Sequence, residues 1–181
     1  MAPRVDLIAY QPSFLDLYME WRIQPLSVRH NPLKPMSREE IAAVLESEGA
    51  ILSDLTKHAS YRWFIQCEDG VAGSVSLKNI SHSMRYAEIG YGIAGHCQGR
   101  GIATAAVNLL VRKCFRESPL RKLVAYVHDR NAASCRVLEK TGFIREGLLR
   151  EHYIINGVPE NEIVFGLLRH EWEKQQPGST R

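Results

Sequence analysis

The amino-acid sequence predicts a mixed α+β fold in a single domain. Its elements are predicted in the order strand, two helices, three strands, helix, strand, helix and two strands. That order lacks the strict alternation of strand and helix that is typical of doubly wound parallel sheets. Two hairpin signals, one at Gly70 and one at Asn156-Gly157, indicate antiparallel pairing instead.

The length and the charge of the chain limit its organisation and its partners. Its 181 residues, of which 45% are hydrophobic, suffice for one domain with its own core, predicted over residues 1–173. Residues 174–181 are predicted to form a polar tail. The formal net charge of +3 is too small to indicate nucleic acid as a partner.

The sequence also indicates in which cellular compartment the protein is expected. No apolar run reaches the ~20 residues of a membrane span, and residues 1–10 lack the apolar core of a signal peptide. The four cysteines form no Cys-x-x-Cys pair, which favours reduced thiols, and the seven histidines show no metal-ligand spacing. The sequence therefore predicts a cytoplasmic protein without membrane association and without a metal site.

The N-terminal elements are a strand and two helices. The strand is predicted over residues 5–10, and the first helix follows it. The second helix begins at Ser37, whose spacing to Glu40 forms a capping box. Residues 28–35, between the two helices, are predicted to be irregular because of their prolines. The apolar face of the second helix consists of Ile41, Val44 and Leu45.

Strands dominate the middle of the chain and are predicted over residues 61–67, 71–77 and 86–93. The third strand alternates, so its successive side chains point to opposite faces of a sheet. One face carries Ala87, Ile89, Tyr91 and Ile93. The other face carries Glu88, Gly90 and Gly92.

The C-terminal part contains two helices and three strands. A long amphipathic helix follows residue 101, then a strand over residues 123–127 and a short helix over residues 131–141 that stops at Gly142. Asn156-Gly157 marks the turn of the final hairpin. The apolar face of the long helix consists of Val107, Leu110, Val111, Cys114 and Phe115.

The most informative stretch is Gln98-Gly99-Arg100-Gly101-Ile102-Ala103, at the start of the long helix. Glycine lets the backbone approach a ligand, and the unpaired N–H groups of a helix start can hold phosphate. The Walker string G-x-x-x-x-G-K-[ST] is absent, and Thr104 stands where a dinucleotide fingerprint requires Gly or Ala. A nucleotide or coenzyme site is one interpretation, and a tight turn without a ligand is the other.

The strand before this loop adds a candidate catalytic residue. Gly90 and Gly92 remove side chains from one face, and glycine in a strand often marks the close approach of a ligand. Glu88 lies on that face, where its carboxylate could act as a general base, directly or through water. A structural ion pair with a basic residue such as Arg85 is the alternative.

Together these features resemble the GCN5-related N-acetyltransferase (GNAT) superfamily, from Val5 to Trp172. One signature is met by Gln98, Gly101 and Ala103, and a second by Asn131-Ala132-Ala133-Ser134. The stretches 146–149 and 155–157 resemble the branch of ribosomal-protein N-terminal acetyltransferases and spermidine acetyltransferases. The resemblance implies a mostly antiparallel central sheet of six to seven strands, flanked by about four helices.

The resemblance also implies that the chain binds acetyl-CoA as a co-substrate, without a metal. Backbone N–H groups at the helix start would hold the pyrophosphate, and the edge of the preceding strand would pair with the pantetheine arm. Asn131 would reach the coenzyme, although its role could be limited to capping the short helix. The coenzyme-binding residues implied are Gly92, Ile93, Ala94, Gln98, Gly99, Arg100, Gly101, Ile102, Ala103 and Asn131.

The implied reaction is direct acetyl transfer to a primary amine, such as a peptide N-terminus, a polyamine or a small amine. Glu88 is the preferred base, and a backbone N–H near Ile93 would stabilise the oxyanion. Many relatives place a tyrosine acid where this chain has Leu138, whereas Ser134 matches the serine that the ribosomal-protein branch offers to the thiolate. Tyr153 could be an acid or a wall of the substrate pocket.

Two other functions are considered. The missing tyrosine at Leu138 motivates a coenzyme-binding sensor or interaction module that has lost catalysis. The glycine loop alone would also suit a module that binds some other nucleotide. A homodimer is expected from the resemblance only.

Overall fold

The computed structural model describes residues 3–176 and confirms the predicted fold class. All seven strands lie in one sheet, in the order β1-β2-β3-β4-β5-β7-β6. The pair β4–β5 is parallel and every other neighbouring pair of these strands is antiparallel. The strands are β1 (Asp6–Ile8), β2 (Tyr61–Cys67), β3 (Gly70–Ser81), β4 (Tyr86–Ile93), β5 (Lys122–His128), β6 (Ile144–Ile155) and β7 (Val158–Leu168).

Six α-helices are present in residues 3–176, against about four expected. The helices are α1 (Leu15–Ile23), α2 (Pro25–His30), α3 (Arg38–Ser47), α4 (Ile102–Glu117), α5 (Ala132–Lys140) and α6 (Arg169–Lys174). The prediction that residues 28–35 are irregular is wrong for residues 28–30, which end α2. Proline fits the first position of a helix because an N–H at that position would have no partner within the helix, and Pro25 occupies that position in α2. The next proline, Pro32, comes after the helix has ended.

The predicted boundary between domain and tail falls inside the last helix. Lys174 ends α6, although the tail was predicted to start there. The rest of the predicted tail, residues 177–181, lies outside the described residues, as do residues 1 and 2. Within the described range, no helix is both long enough and apolar enough to cross a membrane.

Helices cover both faces of the sheet, as two neighbouring residues of β2 show. Phe64 packs against the rings of Phe14 and Trp21, with ring centroids 5.1 and 6.2 Å apart. Trp63 points to the opposite face, where its ring centroid lies 5.8 Å from the Nζ atom of Lys113 on α4. The α1 layer and the α4 layer therefore lie on opposite faces.

Two local predictions about helices are confirmed. Ser37 caps α3 and forms the expected box with Glu40, although Val44 in its predicted apolar face is exposed while Ile41 and Leu45 are buried. The apolar face of α4 is buried as predicted, and it consists of Val107, Leu110, Val111, Cys114 and Phe115.

The parallel strands β4 and β5 separate after a short contact, and this separation makes the cleft of the molecule. They pair only from Tyr86 with Lys122 to Glu88 with Val124. Beyond that point β4 stays paired with β3 and β5 stays paired with β7. The β5-facing edge of β4, from residue 89 to residue 93, is therefore left without a strand partner.

Candidate active site

A cavity of about 480 Å³ lies at the opening between β4 and β5. Its walls come from α2, the end of β4, the glycine loop with the first turn of α4, and α5. Eight of the ten predicted coenzyme-binding residues line it: Gly92, Ile93, Gln98, Gly99, Gly101, Ile102, Ala103 and Asn131. The structure therefore brings the two sequence signatures together around one cleft.

The glycine loop takes the conformation that its composition predicts. Gly99 and Gly101 have φ angles of +73° and +78°, in the left-handed region that favours glycine. Gly101 is the N-cap residue of α4, and no side chain caps this helix start. The first N–H groups of α4 consequently remain available to an anion, and the positive end of the helix dipole favours one.

The backbone of Ile93 points into the cleft. The N–H of the next residue, Ala94, donates to the carbonyl of Ala72 on the β3 side, at 2.8 Å. Backbone polar groups alternate along a strand, so the N–H and the carbonyl of Ile93 face the opposite way. The side chains of Gln24 and Gln98 confirm this direction, since both donate to the Ile93 carbonyl, at 3.0 and 3.3 Å.

Ala94 and Arg100 are the two predicted coenzyme-binding residues that do not line the cleft. Ala94 is buried, with 1% of its surface exposed. The guanidinium of Arg100 instead donates to Asp69 in the β2–β3 turn, at 2.5 Å.

Two hydroxyl groups meet on the α5 side of the cleft. The Oγ atom of Ser134 lies 2.7 Å from the hydroxyl of Tyr91 on β4, and both residues line the cavity. Asn131 caps α5 by accepting a hydrogen bond from the Ser134 N–H, at 3.1 Å. Burial raises the pKa of Tyr91 far above its usual value, so its hydroxyl stays protonated. The sequence analysis did not single out Tyr91, which it placed only on the strand face shared with Ala87, Ile89 and Ile93.

Leu138, at the position where many relatives have tyrosine, is completely buried. Its side chain belongs to the hydrophobic core and is absent from the cavity wall. Beside α5, Ser134 and Tyr91 bring their hydroxyl groups to the cavity wall.

Glu88 lies away from the cavity wall. Its Oε1 atom is 2.9 Å from Lys78 Nζ, and its Oε2 atom accepts a hydrogen bond of 2.6 Å from Asn79. It precedes Gly92 by four residues, or about 13 Å along an extended strand. Both carboxylate oxygens are thus engaged at a distance from the place where the glycine loop and β4 meet.

Tyr153 lies on β6, next to a second cluster of polar side chains. Its ring packs edge-on against His128, with the centroids 6.1 Å apart. Burial, followed by the nearby carboxylates of Glu162, Asp129 and Glu160, raises its pKa, so its hydroxyl is also neutral. Tyr153 itself does not line the cavity.

His128 links this cluster to the cleft. Its Nδ1 atom lies 2.8 Å from Nδ1 of His30, which does line the cavity, and its Nε2 atom lies 3.3 Å from Glu160. The sequence analysis missed both histidines, because they are far apart along the chain and no spacing rule connects them.

Comparisons with known proteins show which family this chain belongs to. A family model described as an acetyltransferase (GNAT) domain matches residues 4–144. The putative ribosomal N-acetyltransferase YdaF of Bacillus subtilis is 35% identical over 109 residues, which cover 60% of this chain and 60% of that protein. The spermidine N(1)-acetyltransferase of Escherichia coli K12 is 31% identical over 171 residues, covering 82% of this chain and 92% of that protein.

A solved structure confirms the fold. The spermidine N-acetyltransferase of Vibrio cholerae, crystallised in complex with CoA and spermine, has a TM-score of 0.79 at 22% identity. The superposition covers 93% of this chain and 97% of that one. The resemblance stated from the two sequence signatures is confirmed, and the chain belongs to the GNAT acetyltransferase family.

Proposed function

We propose that this protein transfers an acetyl group from acetyl-CoA directly to a primary amine. The observation that carries the proposal is the cleft, where an unpaired strand edge leads to an uncapped helix start. A strand edge can pair with an amide-containing arm, and a helix start can hold a pyrophosphate. Acetyl-CoA contains both an amide-containing arm and a pyrophosphate, together with the thioester that carries the acetyl group.

The residues of the cleft fit this co-substrate. The N–H groups at the start of α4 would hold the pyrophosphate, and the Ile93 N–H would bind the pantetheine arm or the developing oxyanion. Arg136 and Lys140 of α5 also line the cavity and would add positive charge beside the phosphates. Asn131 would contact the coenzyme in addition to capping α5.

The hydroxyl pair supplies the proton that the reaction needs at sulfur. Ser134 would donate its proton to the departing thiolate, and Tyr91 would hold the Ser134 oxygen in place. On the acceptor side the sequence predicts Glu88 as the base. From its position that carboxylate would act only through intervening waters, and Tyr153 would border the acceptor outside the cavity as a neutral group packed against His128.

A cationic amine suits the acceptor side of the cleft. The carboxylates of Asp129, Glu160 and Glu162 lie close enough to Tyr153 to raise its pKa, and that of Glu160 also lies 3.3 Å from His128. Negative side chains would attract an ammonium group as it approaches. Two proteins with which the chain was compared are named spermidine acetyltransferases, which supports testing polyamines beside peptides.

The test is thiol release from acetyl-CoA in the presence of spermidine, spermine, peptides with free N-termini, aminoglycosides and small amines. Turnover with one of these classes would establish the transferase and choose the acceptor. Coenzyme binding without turnover would favour the sensor that has lost catalysis. Absence of coenzyme binding in calorimetry would contradict the proposal. The cytoplasmic location, the homodimer, and the absence of metal and nucleic acid stay predictions.

Substitution of a loop glycine tests where the coenzyme binds. Gly101→Val places a β-branched residue at a φ of +78°, which should shift the N–H groups at the start of α4. We expect the Kd for acetyl-CoA to rise about 10-fold, or by about 1.4 kcal/mol. The matched control is Gly157→Val, which imposes the same strain at a φ of +80° in the β6–β7 turn. Equal loss of affinity in both variants, measured by calorimetry, would contradict the assignment.

A further inference from the structure

A chain of three polar side chains leads from the cleft into the sheet. His30 at the end of α2 lines the cavity, and its Nδ1 atom lies 2.8 Å from Nδ1 of His128 on β5. The Nε2 atom of His128 lies 3.3 Å from the Oε2 atom of Glu160 on β7. The helix α2 and the strands β5 and β7 thus contribute one side chain each, and His30 is the member of this series that lies at the cavity wall.

We propose that His30 is the general base that takes the proton from the attacking amine, and that His128 and Glu160 are positioning residues that orient and stabilise it. This assignment rests on the proposed acetyl transfer. It replaces Glu88 in the role of base and adds two residues to the site.

When both histidines are neutral, one arrangement of protons satisfies every hydrogen bond among these three side chains. Ionised Glu160 accepts from the Nε2–H of His128, whose Nδ1 atom then accepts from the Nδ1–H of His30. That tautomer leaves the lone pair on Nε2 of His30. A histidine with a free lone pair at a cavity wall, held by a second group, has the arrangement of a general base.

Two carboxylates lie beside the Nε2 atom of His128. Its side chain is 4% exposed and that of Glu160 is 11% exposed, so the two interact in a medium of low dielectric constant. The Oδ1 atom of Asp129 lies 3.6 Å from His128 Nε2 and has no hydrogen-bond partner among the described residues. When the histidine pair gains a proton, two carboxylates are in place to stabilise it.

The other charged groups around the pair keep His30 neutral before reaction. Burial lowers the pKa of His30, and His128 and Arg29 lower it further. On the far side, Arg130 lies 3.5 Å from Glu160 and offsets part of its negative charge, while Tyr153 remains neutral. Since the pKa of His30 lies below the usual histidine value, the basic form predominates at neutral pH.

The protons of the reaction balance. An acceptor that arrives as an ammonium first releases one proton to solvent. As the neutral amine nitrogen forms its bond to the acetyl carbon, one further proton passes to Nε2 of His30, and the positive charge is shared with His128. The carbon–sulfur bond breaks, and the thiolate receives one proton through the Ser134 hydroxyl from solvent. His30 then returns one proton to solvent, so the enzyme is unchanged after the cycle.

The first experiment compares His30→Gln with wild type, using acetyl-CoA and the most active amine of the panel. We expect kcat to fall at least about 100-fold, as removal of a general base does, with little change in the KM for acetyl-CoA. When kcat/KM is plotted against pH, the wild type should lose activity below pH ~6.5, and this acidic limb of the profile should disappear in His30→Gln. His82→Gln, at an exposed position in the β3–β4 turn, is the control and should behave as wild type.

Three further variants distinguish proton transfer through His30, His128 and Glu160 from a packing role of these side chains. Glu160→Gln should lower kcat about 10-fold and move the acidic limb to lower pH, because the protonated histidine pair loses its carboxylate. Added imidazole should restore part of the activity of His30→Ala, which a loss of packing would not permit. Glu88→Gln should keep the acidic limb.

Survival of the limb in His30→Gln, or its loss in Glu88→Gln, would overturn the assignment. If wild type transfers acetyl to no amine, the proposed function fails, and the relay is decided separately by nitrogen-15 NMR. The spectrum of His30 in the free protein should show Nδ1 protonated and Nε2 unprotonated at pH 7.5. The opposite tautomer would contradict the relay.

Discussion

Ser134→Ala should lower kcat about 100-fold, with little effect on the binding of acetyl-CoA. The thiolate leaves more easily when a hydroxyl donates to it, and the Ser134 hydroxyl is part of the pair at the α5 wall of the cleft. The substitution keeps the backbone N–H that Asn131 caps, and alanine favours the helix. A fall in kcat would therefore reflect chemistry and not folding.

Tyr91→Phe supplies the matched comparison. It removes the hydroxyl that holds Ser134 Oγ at 2.7 Å but leaves the Ser134 proton donor, so its effect should be smaller. The double variant should be no slower than Ser134→Ala alone, because the two groups act as one unit. Additive losses in steady-state kinetics would show that Tyr91 has a separate role. A rise in KM for acetyl-CoA without a change in kcat would contradict the donor role of Ser134.

Glu48→Ala should destabilise the fold by about 3–5 kcal/mol, because it leaves a buried guanidinium without its counter-charge. Glu48 follows α3 and accepts from Arg62 of β2 at 2.5 and 2.9 Å. The side chains of Arg62 and Glu48 are only 16% and 5% exposed. Arg62 also lies 5.0 Å from the ring centroid of Tyr18, so the pair joins α1, α3 and the sheet.

Urea denaturation measures this loss, and two variants control for it. Glu117→Ala breaks the exposed pair with Lys113 on α4 and should change stability by less than about 0.5 kcal/mol. Replacing both buried partners, as Glu48→Leu with Arg62→Met, should recover much of the stability, because neither charge is then left alone. If Glu48→Ala resembles Glu117→Ala, the buried pair does not stabilise this fold.

Predictions from local signals agree well with the structure. The capping box at Ser37, the turn at Asn156-Gly157 and the glycine loop each depend on a few neighbouring residues. The sequence also predicted the strand β4 with its correct bounds. The helix α2 was missed because the irregularity imposed by Pro32 and Pro35 was extended back to residue 28, whereas the helix ends at His30, before either proline.

The position and partners of Glu88 show the limit of such signals. The alternation of β4 placed Glu88 on the glycine-bearing face, and the register confirms that face, since Glu88, Gly90 and Gly92 lie opposite alternate residues of β3. Alternation says nothing about distance from the cleft or about partners on the next strand. Lys78 engages Glu88 through that strand, as the alternative interpretation of an ion pair had allowed, although Arg85 was the partner suggested.

Short-range patterns of residue type were enough to predict the fold class, the family and the conformation of the glycine loop. The tertiary structure alone decided where β4 and β5 separate and which side chains face the opening. The sheet order places β7 beside β5, which brings Glu160 to His128, and the packing of α2 brings His30 to the same point. The first and last of these residues, His30 and Glu160, lie 130 positions apart in the sequence, so only long-range packing could assemble the three.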